Sequence, residues 1–313
     1  MKDIYKFLIS CSIVILSVWV MDICIDKVLF KLMSNLPNDG TETSRTYFSL
    51  YEVDTPIIIV GSSRASHHYI PSMIKDSLQK ETYNIGRDGC FFRYNCCINQ
   101  FITKRYTPEI IIWECSETDL FYSNDNRLQS LYPFYNRNDI VTKIINESET
   151  EKRKVQLQSK LYKYNSIALK ILTRSLIRSK NEDKRMGYQP LAPSRLKTDL
   201  TLNIDSIPNE EIDQTKVNQL RTTLEQITSN GTKLFIFISP KYKLLDESKT
   251  NTSLEMMRKV CNEYNVPIFD NRQLTEFYEH PEYYKDATHL NNIGAERYTE
   301  IVIEQLKPYI YNN

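Results

Sequence analysis

A chain of 313 residues that is 41% hydrophobic and 25% charged can bury one large core or two small ones, and it is too apolar to be disordered. Its 40 basic residues offset 39 acidic ones to leave a formal charge of +1. No basic block with interleaved aromatics occurs, so nucleic acid is set aside as a partner. The 21 tyrosines would suit sugar-binding loops, but the abundant Ile, Lys and Asn make compositional drift the simpler reading.

The chain opens "MKDIYKFLISCSIVILSVWVMDICIDK". Lys2 and Lys6 precede an uncharged apolar run from Phe7 to Met21, and Asp22 and Asp26 follow it. A bilayer span takes ~20 residues, so 7–26 is expected to be a single-pass transmembrane signal anchor. The lysine-first asymmetry predicts residues 1–6 on the cytoplasmic side of an inner or cytoplasmic membrane and the rest of the chain outside it, in the periplasm or at the cell surface. No small residues mark a cleavage site. Cys11 and Cys24 lie in or beside the span, and Cys90, Cys96, Cys97, Cys115 and Cys261 belong to the globular part. No CxxC pair exists, which argues against a zinc knuckle or a thioredoxin-like site and leaves one disulfide open.

Residues 27–50 are polar, carry "NLPNDGTETS" and read as a stalk or loop. Beyond them, over 51–313, strand-like and helix-like segments alternate. "TPIIIVG", "TYNIG", "PEIIIWEC", "TKLFIFISP" and "VPIFD" are short apolar or β-rich runs. "PSMIKDSLQK", "FFRYNCCINQFITKRY", "DQTKVNQLRTTLEQITSNG", "SLEMMRKVCNEYN" and the final "NNIGAERYTEIVIEQLKPYI" are compatible with helices. That alternation predicts an α/β domain whose parallel sheet is covered on both faces. Residues 121–212 break the rhythm and read as a largely helical insertion, either a lid over the site or a peripheral subdomain.

Ligands of open α/β sheets collect at the carboxyl ends of the strands. The first predicted strand ends in Gly61-Ser62-Ser63, the second in "NIGRDG" with Gly86 and Gly89, and the third in "ECSETD". Three of only seven glycines therefore fall on one predicted rim, where glycine permits close backbone approach. "DATHLN", just before the last helix, carries Asp286 and His289 three residues apart. One short segment can thus supply a general base and the carboxylate that orients it for a nucleophilic serine.

These motifs resemble the SGNH (GDSL-type) hydrolase superfamily, over roughly 54–120 and 231–310. The resemblance is closest to the membrane-anchored branch that resembles the alginate-acetylation and teichoic-acid D-alanylation proteins. It implies a flavodoxin-like three-layer α/β/α sandwich. It implies Ser63, third in its motif, as nucleophile, His289 as general base and Asp286 as its partner. The backbone N–H groups of Ser63 and Gly86 would form two legs of an oxyanion hole. The family's third-motif asparagine is absent from Glu114-Cys115-Ser116-Glu117-Thr118-Asp119, where Ser116 is the weak substitute.

Arg64, His67 and Asp88 are expected to line the substrate site, with the alternatives that the residues after the serine are plain helix-surface groups and that Arg87 and Asp88 pair with each other. Trp113 is expected in the core. No set of residues at metal-ligand spacing accompanies His67 and His68, and neither a metal nor another cofactor is expected. The implied function is a membrane-anchored serine esterase or O-acyltransferase. Its substrate would be ester-linked acyl groups, acetyl foremost, on a cell-envelope or exported polysaccharide or other acylated glycan. The alternative is a non-catalytic glycan-binding protein or scaffold for a multi-pass membrane acyltransferase.

Overall fold

The computed structural model describes residues 2–38, 42–122, 127–165, 167–176, 183–193, 203–205, 210–245 and 250–311. In chain order the elements begin with α1 (Lys2–Ser34), α2 (Glu42–Tyr51), β1 (Ile57–Val60), α3 (Ser63–His68), α4 (Pro71–Leu78) and β2 (Thr82–Asn84). There follow α5 (Phe92–Arg105), β3 (Ile110–Glu114), α6 (Asp139–Ser148), α7 (Glu151–Gln156), α8 (Ala168–Leu176) and β4 (Asn203–Asp205). The last are α9 (Gln214–Ser229), β5 (Lys233–Ile238), β6 (Lys243–Leu245), α10 (Thr252–Glu263), β7 (Ile268–Asp270), α11 (Thr275–Glu279) and α12 (Asn292–Tyr311).

The chain divides into two compact units, one of residues 48–127 and 183–313, the other of 1–47 and 128–182. The first unit holds a five-stranded parallel sheet in the order β2-β1-β3-β5-β7. Ile57 stands beside both Thr82 and Ile110, and Ile110 beside Lys233. Every residue of β1 and β3 is buried, as the unbroken apolar runs "IIIV" and "IIIWE" require of central parallel strands. Alternate side chains divide between the two faces. Ile57, Ile59, Ile110 and Ile112 pack with Tyr69, Ile74, Tyr298 and Val302, whereas Trp113 stacks on Phe92 of α5 with ring centroids 5.8 Å apart. The strand order reverses direction between β1 and β3, which opens a crevice at their carboxyl ends.

The second unit is helical. Its α1 is long and apolar enough to cross a membrane, with no part of its most apolar stretch buried against protein. The C-terminal turns of α1 are different in character, with Asp26, Leu29 and Met33 buried. Asp26 accepts from Arg137 Nη2 at 2.5 Å and from the Tyr164 hydroxyl at 3.0 Å, and the Arg137 guanidinium lies 4.0 Å from the centre of the Phe30 ring. Phe30 also meets Tyr47 and Phe134 edge-on.

Two expectations change. The segment 27–50, read as a stalk or loop, is largely helical, because α1 runs on to Ser34 and α2 begins at Glu42. Its polar residues misled: one helix face carries the buried Leu29 and Met33 while Lys27 and Lys31 face solvent. The insertion 121–212 is not one body either. Its portion 128–182 groups with α1, and its flanks belong to the sheet unit. There, Phe121 bridges Ile212, and the Asn84 N–H donates to the Met186 carbonyl at 2.8 Å.

Candidate active site

β1 stops at Val60 because the next residue turns with a φ of +152°, a conformation that glycine adopts without strain. A Cβ on Gly61 would lie 2.7 Å from Ala65 Cβ and 2.8 Å from the Glu114 carbonyl oxygen. The glycine thus lets α3 start immediately above β3, with Ser63 as its first residue. The Ser63 hydroxyl donates to His289 Nε2 at 2.8 Å across 226 residues of sequence. His289 Nδ1 lies 3.0 Å from each carboxylate oxygen of Asp286. That partner puts the ring proton on Nδ1 and leaves Nε2 as the acceptor facing the serine.

The Asp286 segment holds its own shape. Asp286 Oδ1 accepts from the Thr288 and His289 N–H groups at 2.9 and 3.0 Å and from the Thr288 hydroxyl at 2.9 Å. Burial pushes the Asp286 carboxyl up, but the Thr288 N–H and the His289 ring outweigh it and hold it below the usual carboxylate range. A second histidine ties this segment to α3: the Leu290 N–H donates to His68 Nε2 at 2.9 Å, and His68 Nδ1 lies 2.9 Å from Ser239 Oγ. Burial, with the Arg64 charge beside it, keeps His68 titrating well below the ordinary histidine range, so its ring is a neutral strut between base and nucleophile.

Ser63 and His289 open into a cavity of about 280 Å³ that Phe91, Phe92, Asn95 and Asp119 also line. Arg64 and Glu114 line it too, as a buried ion pair with Nε and Oε1 3.1 Å apart. Arg64 Nη2 donates to the Cys115 carbonyl at 2.7 Å, and Glu114 accepts from Ser239 Oγ at 2.8 Å and from the Tyr69 hydroxyl. Burial works against a charge on Arg64, but the carboxylates of Glu114, Glu117 and Asp119 outweigh it and keep the guanidinium charged. Burial likewise pushes Glu117 up, yet its ion pair with Lys241, helped by Arg64, brings it down to about 2. Asp119 shows the opposite balance: burial raises it to about 6 although it accepts the Ser116 N–H at 2.7 Å.

The structure brings Ser63, His289 and Asp286 together, but other expected positions fall elsewhere. The Gly86 N–H, expected as an oxyanion leg, donates to Asn84 Oδ1 at 2.9 Å. Gly86 is instead needed for packing, since a Cβ there would stand 2.6 Å from the Ser66 nitrogen. Ser116 lines the cavity, but its N–H is committed to Asp119 and its hydroxyl to Thr118 at 3.1 Å.

His67 and Asp88, expected to line the substrate site, bond each other beside it at 3.0 Å, and His67 Nδ1 also lies 2.6 Å from the Gln189 carbonyl. Arg87 Nη1 donates to Cys90 Sγ. Arg64, His67 and His68 are buried, not helix-surface groups, because the 183–193 segment covers α3 by pairing the Gln189 N–H with the Ser66 carbonyl. Trp113 is in the core, and all seven cysteines are free thiols. Asn95 and Lys241 at the cavity, and Glu117 paired with Lys241, are additions. Asn95 carried no distinguishing signal in the sequence, since α5 also buries the polar Arg93, Asn99 and Gln100.

No family model and no curated protein matches the chain. Among solved structures it is similar to a gut microbial diltiazem-metabolizing enzyme, at 10% identity and a TM-score of 0.36, over 79% of this chain and 46% of that one. The chain therefore spans about half of that enzyme's length.

Proposed function

We propose that the chain is a membrane-anchored serine acyl-ester enzyme of the SGNH type, acting outside the cytoplasm on acyl groups of a cell-envelope or exported glycan. One observation carries this reading: a serine hydroxyl 2.8 Å from an imidazole whose other nitrogen is held by a carboxylate, at the wall of a cavity. The sheet order, which runs as in flavodoxin-like α/β/α sandwiches, supports the fold that goes with it. The small cavity favours a short acyl group such as acetyl.

In the first half-reaction Ser63 Oγ attacks the ester carbonyl carbon as its proton passes to His289 Nε2. Collapse of the tetrahedral intermediate breaks the bond to the alkoxy oxygen, which takes that proton and leaves as the alcohol. Water or a sugar hydroxyl then repeats the sequence on the acyl-serine, giving hydrolysis or transfer. The oxyanion rests on the Ser63 N–H, in the first turn of α3 where helical N–H groups lack intrahelical partners. The Gly86 leg is engaged, and the Asn95 amide Nδ2–H takes its place: Asn95 is only 3% exposed and lines the cavity, and its Oδ1 accepts no hydrogen bond among the described residues.

Asn95→Ala is accordingly expected to lower kcat for p-nitrophenyl acetate by roughly 10²–10³-fold with little change in KM, the usual cost of one oxyanion donor. Unchanged kcat would remove Asn95 from the site. The engaged Gly86 N–H also favours a second reading, a non-catalytic partner of a membrane acyltransferase. Turnover of p-nitrophenyl acetate by the full-length chain separates the two, since a scaffold gives none.

A further inference from the structure

The helical unit carries an apolar surface that α1 does not account for. On α8, Leu169 is 73% exposed, Leu172 43% and Leu176 84%. At ~100° per residue these three fall within about 60° of one another, and Ile171 points to the opposite side. Ile171 is fully buried, so it fixes α8 to the unit and turns the leucine stripe outward. Val155 and Leu161 of the same unit are also exposed, at 71% and 46%. Water is a poor neighbour for such a stripe, since apolar surface gains free energy on leaving water.

The position of this surface relative to α1 identifies its occupant. α8 packs against α1. Asp22, the first charge after the apolar run, accepts from the Lys160 and Leu161 N–H groups at 2.6 and 2.7 Å and from Ser159 Oγ at 3.1 Å. The 159–161 loop is thereby held level with the end of the span. Exposed apolar residues of α1 such as Trp19 and Met21 lie less than one turn away from Asp22 along the helix. Lys170 and Arg174 flank the stripe on its polar side, the arrangement of helices that lie in a lipid headgroup layer.

We propose that α8 is a second membrane contact, lying in the headgroup–acyl boundary of the bilayer that α1 crosses, with Leu169, Leu172 and Leu176 in the lipid. Two contacts on one unit restrict its tilt, which a single helix does not. This inference rests on reading α1 as a span, and the test separates the two.

Full-length chain carrying Trp19→Phe and Leu172→Trp is placed in vesicles of phosphatidylcholine and phosphatidylglycerol, with the wild-type chain, whose Trp19 reports on the span, in parallel; Trp113 is buried and common to both. The new indole at 172 is expected to be quenched at least twofold more by a shallow doxyl-labelled lipid than in unlabelled vesicles, and to be shielded from acrylamide. Quenching at 172 by acrylamide alone, with Trp19 still quenched by doxyl lipid, overturns the inference and leaves the span. Silence at 172 toward both quenchers means a protein neighbour, a second copy included, and also overturns it. If neither Trp19 nor the indole at 172 responds to doxyl lipid, both readings fall.

Discussion

Replacing Ser63 by alanine is expected to lower p-nitrophenyl acetate turnover by the full-length chain by roughly 10⁴–10⁶-fold, to near the rate in buffer. The hydroxyl is the only group of Ser63 that the substitution removes, and among the described residues its side-chain bond is the 2.8 Å contact with His289. Losing a single partly exposed hydrogen bond costs only about 1 kcal/mol, so the melting temperature should barely move. His289→Ala should fall to a similar floor. The double variant should be no worse than either single one, because nucleophile and base act as a unit. Turnover in the Ser63→Ala variant equal to wild type would remove the serine from the chemistry.

The second large effect is on stability. Glu114→Gln leaves the Arg64 guanidinium charged and buried without the carboxylate that sits 3.1 Å from its Nε. Breaking a buried ion pair from one side typically costs about 3–5 kcal/mol, because the remaining charge stays desolvated. Glu117 and Asp119 soften the loss without reaching the same nitrogen, so the lower end of that range is the expectation. Thermal melting followed by the emission of buried Trp113 reads the effect. The pair Arg64→Met with Glu114→Leu should recover most of the loss, since apolar replacement of a whole buried ion pair is often neutral or better. A change below about 1 kcal/mol in the Glu114→Gln variant would mean that Arg64 is solvated through the cavity and that the pair is not a sealed floor.

Much of this was legible because it is encoded locally. "IIIV" before glycine, "IIIWE" and "KLFIFI" are unbroken apolar runs, and a parallel sheet buried on both faces is the structure that uses them. Asp286 and His289 could be linked in advance because their spacing of three fits one self-capping turn. The illegible parts depend on partners far away in sequence. Nothing near Arg64 announces Glu114, fifty residues on, and nothing near His68 announces Ser239. Gly86 looked like a ligand-facing glycine, but the same absence of a Cβ serves the packing of Ser66 and Ala65 against it. The grouping of 128–182 with α1 was hidden for a related reason. Asp22 and Asp26 read as the polar boundary of a span, while their bonds to Lys160, Leu161 and Arg137 also tie α1 into a helical unit.

The central claim is that Ser63 is a nucleophile activated by His289. A fluorophosphonate probe incubated with the purified full-length chain, followed by peptide mapping, tests it most directly. The account predicts a single phosphonylated peptide modified at Ser63, with labelling lost in His289→Ala although that variant keeps its wild-type melting temperature. A folded wild-type chain that takes up no probe, or takes it up at a residue other than Ser63, would contradict it.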